Sequence, residues 1–315
     1  MEQIFPTYYP RFRCIAGACR HSCCIGWEID VDSDALAAYQ KVEGAFGDRL
    51  RASISMEDTP HFRLDAHERC PFLNGEGLCD LILTLGEDRL CHICAEHPRF
   101  YNVFADREEV GLGLCCEAAG RLILGEKEPV CLIRQDGGAV SASQDPWVSL
   151  RDEVIALLQD RSIDLEERIA CVKQGLGDSG AFPSLAPWCR RLLSLERLED
   201  AWTKLLVRLD ATIDTLDVQV FLRYMGARMT EYEQFLVYFV YRHAANAENL
   251  SAFCAWIRFA ELGYRLLVAL GAMLYAKTGD FTLDDQVELA RLFSAEIEYS
   301  EENTEAILTL LESEE

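Results

Sequence analysis

The stretch AFCAWIRFAELGYRLLVALGAMLY, Ala252 to Tyr275, decides the architecture of the C-terminal half. It is apolar nearly all round, and its longest unbroken apolar run, Leu266–Ala276, is eleven residues. Spanning a bilayer takes roughly 18 or more, and Arg258, Glu261 and Arg265 interrupt the residues before that run. The pattern predicts a central buried helix and no membrane anchor.

Helical spacing continues on both sides of it. Trp147–Gln159 and Leu195–Leu209 carry apolar residues at helical intervals. Val218–His243 places Phe221, Met225, Met229, Tyr232, Leu236 and Phe239 three or four apart, one apolar face. Thr282 with Asp285 has the form of a capping box opening a helix over Leu283–Ile297, and a last helix is expected over Thr304–Leu311. No strand-like alternation of any length interrupts this half. Asp136-Gly-Gly and Ser141-Ala-Ser-Gln-Asp-Pro are rich in turn residues and mark a boundary. The expected fold is mainly α: an irregular cysteine-rich module over residues 1–140, then an all-α helical bundle over 141–315.

The first part reads differently. Ten of the fourteen cysteines lie between Cys14 and Cys116, grouped as Cys14, Cys19, Cys23 and Cys24; Cys70 and Cys79; Cys91 and Cys94; Cys115 and Cys116. Thiolates are soft ligands that select zinc, copper(I) or iron–sulfur clusters, and packing alone does not crowd cysteines into one third of a chain. The opening MEQIFPTYYPR lacks the pattern of a secretory leader, which predicts a reducing, cytoplasmic setting with free thiols rather than disulfides. Short segments separated by Gly, Pro, Asn and Asp fit a metal-organised fold, with helices at Ser33–Lys41 and from Asp80 to Thr84. Cys91-His-Ile-Cys94 is a C-x2-C knuckle, and Cys19 and Cys23 lie one helical turn apart. The expected ligands are therefore Cys19, Cys23, Cys91 and Cys94, with Cys24, Cys79, Cys14, Cys70, Cys115 and Cys116 next. Ten thiols exceed one zinc site, so the expected centre is an iron–sulfur cluster of the 4Fe-4S kind, with zinc as the alternative. Cys131, Cys171, Cys189 and Cys254 stand apart, the last three among helical apolar residues.

The formal charge is −23, divided as −10 over residues 1–145 and −13 over the rest. Such a chain is a poor partner for nucleic acid, whose binding rests on cations at phosphate. A cationic or lysine-bearing partner suits it better.

Phe12-Arg-Cys14 and Cys19-Arg-His-Ser-Cys23-Cys24-Ile-Gly-Trp27-Glu-Ile-Asp30 resemble the opening signature of the flagellin lysine-N-methylase family. Cys70-Pro-Phe-Leu, Gly77-Leu-Cys79, Leu85-Gly-Glu87, Leu90-Cys91-His-Ile-Cys94, His97-Pro98-Arg99 and Cys115-Cys116-Glu117-Ala118-Ala119 follow in the family's order. Tyr238-Phe-Val-Tyr-Arg242-His243 resembles a segment of its helical half. The spacing C-x4-C-x3-CC here is looser than the C-x2-C-x2-CC of the wider metal-chelating group to which the family belongs. The resemblance is dense over residues 12–120. It implies methyl transfer from S-adenosylmethionine to lysine side chains of flagellin, with an iron–sulfur or zinc centre. No glycine-rich nucleotide fingerprint is present, since Gly111-Leu-Gly113 lacks a third glycine and a flanking βαβ pattern.

Lysine methylation needs a group that takes a proton from an amine whose pKa is roughly 10.4. Candidates beside the cysteine blocks are Glu28, Asp30, Glu117 and Tyr101, then Glu87 and Glu96. Trp27, with Tyr8 and Tyr9, offers cation–π faces to a sulfonium, and Arg99 offers a cation to a carboxylate. The competing reading is a non-enzymatic metal-chelating or redox-sensing protein that binds a partner through its helices. That reading needs only the thiols.

Overall fold

The computed structural model describes residues 2–178, 182 and 184–313. It resolves into two compact units, Arg13–Phe100 and the remainder, Met1–Phe12 with Tyr101–Glu315. The turn-rich stretch 136–145 falls inside the larger unit.

The larger unit is built around the helix Leu250–Thr278. Asn249 caps its start by accepting the N–H of Ala252, and Gly279 ends it in the left-handed conformation that glycine adopts without strain. Although long and apolar enough for a membrane span, it is a core helix, with 78% of its most apolar window buried. Thr230–His243, Val218–Met225, Asp200–Thr212, Leu283–Phe293 and Glu301–Ser313 pack around it. A Cβ at Gly271 would stand 2.6 Å from the ring of Phe221, so the helices meet this closely only because that position is glycine. The Thr282–Asp285 capping box is present as expected.

Three helical expectations need correction. Val218–His243 is interrupted by a 3-10 turn at Gly226–Arg228; the first half buries only Phe221 and Met225, whereas the second is buried on every side from Glu231 to Tyr241. The helix expected at Leu195 begins at Asp200, because Glu296 accepts the backbone N–H groups of Leu198 and Glu199 and holds the chain extended there. The helix opening at Leu283 stops at Phe293 and gives way to a π turn, Ser294–Glu298.

A four-stranded mixed sheet runs in the order Arg99–Val103, Arg107–Leu112, Glu2–Pro6, Leu132–Arg134, and all of it but the first two residues of the edge strand lies in the larger unit. Glu2–Pro6 runs parallel to Arg107–Leu112, with Ile4 opposite Glu109, and antiparallel to Leu132–Arg134. The all-irregular reading of this region is therefore corrected to a mainly α fold with a small sheet. Buried Arg107 and Glu109 explain why alternation did not reveal the central strand. Glu109 is matched by Arg151 from the helix Pro146–Leu158, both side chains fully buried.

In the smaller unit, Ile29, Tyr39, Leu50, Phe62, Phe72 and Leu81 form a core that includes Cys70 and Cys91. Cys24, Cys79 and Cys94 pack against it. This unit has an apolar core of its own, where ligation had been expected to replace part of one.

Candidate functional site

Five thiols converge at the edge of the smaller unit's core: Cys24, Cys70, Cys79, Cys91 and Cys94. The turns explain the convergence. Cys70 donates its N–H to the carbonyl of Cys24 at 2.8 Å. Cys79 and Cys91 precede the short helices Asp80–Leu85 and His92–Glu96. Asp32 caps Ser33–Tyr39 and also accepts the N–H of His92 at 2.7 Å, tying the knuckle to the core.

The thiols are paired by hydrogen bonds. The bond to Cys23 lowers Cys24 to about 7, against the opposing effect of burial. Cys91 accepts from Cys94, which lowers Cys91 and, with burial, raises Cys94. Burial pushes Cys70 up to about 12 and raises Cys79. Among the described residues, no three Cys, His, Asp or Glu side chains are arranged to hold a metal ion. In this arrangement the thiols are joined in hydrogen-bonded pairs and do not form a closed ligand cage.

Of the ligands expected first, Cys91 and Cys94 belong to this group and the Cys23 thiol bonds to Cys24. Cys19 donates its S–H to the carbonyl of His21 at 3.0 Å. Cys14 is exposed, while Cys115 and Cys116 lie in the other unit.

The remaining candidates are dispersed. Glu28 is exposed and stands 3.6 Å from His61. Asp30 is exposed. Trp27 donates its indole N–H to the carbonyl of Cys23 and stacks on His97, whose pKa burial pulls down to about 4. Arg99 donates to the carbonyl of Ala95. In the larger unit, buried Glu117 pairs with Arg121, and Tyr101 is an exposed strand residue. Tyr8 is buried and Tyr9 packs on Phe5.

A second cluster, in the larger unit, was only half legible. The wide turn Ser294–Glu298, closed by Tyr299 N–H bonding the carbonyl of Ser294, directs Glu298 into the interior with no side-chain exposure. Wide turns of this kind recur at functional sites. Glu298 accepts from the Tyr238 hydroxyl at 2.8 Å, from His243 Nε2 at 2.7 Å and from Ser294, and Arg242 stands 3.2 Å away. The imidazole of His243 lies flat on the indole of Trp256, centroids 4.4 Å apart and planes 9° from parallel. Arg242 donates to the hydroxyls of Tyr238 and Tyr299 and lies over the Tyr299 ring. Tyr299 hydrogen-bonds the Cys115 thiol, which burial raises to about 12. The Leu114 N–H donates to Tyr238 at 3.1 Å. Gly113 has no Cβ because the Tyr299 hydroxyl occupies that space.

Burial would raise the pKa of Glu298, but Arg242, His243 and Ser294 together hold it below the ordinary carboxylate value. Burial lowers the pKa of His243 in spite of the Glu298 bond. The cluster is therefore a carboxylate and a guanidinium, both charged, with a neutral imidazole oriented by the carboxylate. The motifs Tyr238–His243 and Cys115–Ala119 pointed here, whereas nothing local in the sequence marked Glu298.

These features define a mainly helical protein with paired thiols in one unit and a buried acid–imidazole network in the other. Residues 189–315 match the family described as FliB lysine N-methylase C-terminal domain. The lysine-N-methylase of Salmonella typhimurium is 27% identical over 138 residues, 40% of this chain and 33% of that protein. The lysine-N-methylase of Salmonella choleraesuis is 26% identical over the same length and the same shares. The flagellar biosynthetic protein FliU of Salmonella muenchen is 26% identical over 134 residues, 40% of this chain and 79% of its own. The match thus spans 33% of the length of the two lysine-N-methylases. No solved structure matches. Homology to lysine N-methylases is established at this level. The family match falls on the helical C-terminal segment, whereas the motif resemblance was densest over residues 12–120.

Proposed function

We propose that this chain is a lysine N-methyltransferase that moves the methyl group of S-adenosylmethionine to lysine side chains of flagellin in the cytoplasm. The observation that carries the reading is the match of residues 189–315 to the lysine N-methylase C-terminal domain. Two features of the chain support it. The acid–imidazole network lies within that matched segment, and the net charge of −23 suits a lysine-bearing partner.

The thiols of the smaller unit fit a soft metal by the chemistry of the donor set. Cys24, Cys91 and Cys94, with Cys70 or Cys79, would hold an iron–sulfur cluster, or zinc as the alternative. Such a centre supplies structural cross-linking and, for iron–sulfur, a redox-active group. All five of these thiols belong to or pack against one apolar cluster. The redox-sensing reading draws on the same thiols, because hydrogen bonds from Cys23 and Cys94 pull Cys24 and Cys91 toward the thiolate, the form that reacts with oxidants.

The deciding experiment incubates the folded, anaerobically metal-loaded chain with methyl-labelled S-adenosylmethionine and flagellin from the same cell. Label on lysine is the expected result. An unlabelled flagellin, beside partner binding that changes with thiol oxidation, would replace the methylase reading with the sensing one.

A further inference from the structure

We infer that His243 is the proton acceptor for the target lysine, with Nδ1 as the basic atom and Glu298 as the residue that positions it. The assignment rests on the methyltransfer reading and adds a site to it.

The argument is geometric. Nε2 of His243 faces a carboxylate at 2.7 Å, so that nitrogen carries the proton and Nδ1 carries the lone pair. Nδ1 makes no hydrogen bond among the described residues, and the side chain retains 15% exposure. The ring is held from two directions, by Glu298 at its edge and by Trp256 across its face. An imidazole oriented by a buried carboxylate through one nitrogen, with the other free, is the arrangement by which serine hydrolases hold their general base. The charged groups around it are Glu298 from the wide turn and Arg242 from its own helix, and Trp256 and Phe239 contribute only rings. Glu298 itself is saturated by Tyr238, His243, Ser294 and Arg242 and has no lone pair to spare for a substrate proton. Burial keeps the imidazole neutral at pH 7, the form that accepts a proton.

The step balances. One proton of the lysine ammonium passes to Nδ1, leaving a free amine. The amine lone pair then forms the new C–N bond while the methyl–sulfur bond breaks, its electrons remaining on sulfur as the neutral thioether. The imidazolium next to Glu298 returns its proton to solvent.

The test measures initial rates of label transfer to flagellin between pH 6 and 10 for the full chain and for His243→Gln. The glutamine amide keeps a donor to Glu298 while removing the base. The expected deficit is roughly 100- to 10,000-fold at pH 7. It should shrink as pH approaches 10, where the lysine, with a pKa of roughly 10.4, sheds its own proton. A structural role would give a deficit independent of pH, and that result, or a loss under about threefold at pH 7, would overturn the assignment. A wild-type chain that labels no lysine would overturn the methylase reading itself and the assignment with it. Should the variant not fold, the tautomer of His243 in the wild-type chain, read from its nitrogen chemical shifts at pH 7, decides. A proton on Nε2 with a bare Nδ1 is expected, and a proton on Nδ1 refutes the inference.

Discussion

Replacing Glu298 with glutamine keeps the shape of the side chain and removes one buried charge. The carboxylate has no exposure, and its partners are Arg242, His243, Tyr238 and Ser294. Removing one partner of a buried ion pair costs about 3–5 kcal/mol, because the other charge is left without compensation. Arg242 retains 13% side-chain exposure and the hydroxyls of Tyr238 and Tyr299, so the lower end applies. The expected loss is about 3 kcal/mol, roughly a hundredfold in the unfolding equilibrium. Glu298→Ala should cost about 5 kcal/mol, since it also strips the acceptor from His243 and Ser294. The pH dependence follows from the direction of the shift. The folded pKa of Glu298 lies below the ordinary value, so its stabilisation is complete above the unfolded carboxylate pKa of roughly 4.3 and is lost as pH falls through the folded pKa. Urea unfolding followed by circular dichroism should therefore show a full gap between wild type and Glu298→Gln at pH 7.5, narrowing below about pH 4. A gap under about 0.5 kcal/mol at pH 7.5 would show that the network does not hold a charged carboxylate against Arg242.

Two further outcomes concern the smaller unit. After anaerobic loading with iron and sulfide or with zinc, Cys24→Ser, Cys91→Ser and Cys94→Ser should lose bound metal. Cys171→Ser and Cys254→Ser should keep it and cost only about 1–3 kcal/mol. Full metal content in the Cys91 and Cys94 variants would remove the proposed centre from this cluster. The second outcome is a titration. Burial pulls the pKa of His97 to about 4, so its ring proton signals should titrate near that value. Because the unfolded histidine binds its proton first, at roughly 6.5, stability contributed by neutral His97 is complete above that pH and falls as pH drops toward 4. A midpoint near 6.5 would mean that the Trp27–His97 stack is open to water.

What the sequence disclosed follows from the range of the interactions. Leu250–Thr278 was readable because its burial is written in its own residues, and the Thr282–Asp285 capping box because both partners are three positions apart. The sheet was not readable. Glu2–Pro6 finds its parallel partner a hundred residues away, and buried Arg107 and Glu109 replace the apolar alternation that would have announced a strand. Thiol grouping pointed to the region where five cysteines meet, but not to which of two adjacent ones faces inward. Cys24 joins the group, whereas the preference for Cys19 and Cys23 came from spacing alone. Glu298 was invisible because its inward direction depends on one extra residue in the turn Ser294–Glu298, a backbone choice that no local pattern encodes.

The segment that matches the lysine N-methylase domain supplies Tyr238, Arg242, His243, Ser294, Glu298 and Tyr299, yet it does not complete their surroundings. The Leu114 N–H on Tyr238 and the Cys115 thiol on Tyr299 come from upstream. Glu233, fully buried on the same helix as His243, has its charge met by Arg161 and Arg168, also upstream. A chain cut at residue 189 would leave that carboxylate buried without its cations, a loss large enough to undo the packing of the Thr230–His243 helix. The matched boundary therefore marks where the chemical residues lie, while the physical unit that holds them in place is Met1–Phe12 with Tyr101–Glu315. The loop at Gly113–Cys116 belongs to the site as much as the helices do. Gly113 follows from that directly, since it is the position where the Tyr299 hydroxyl needs the backbone bare.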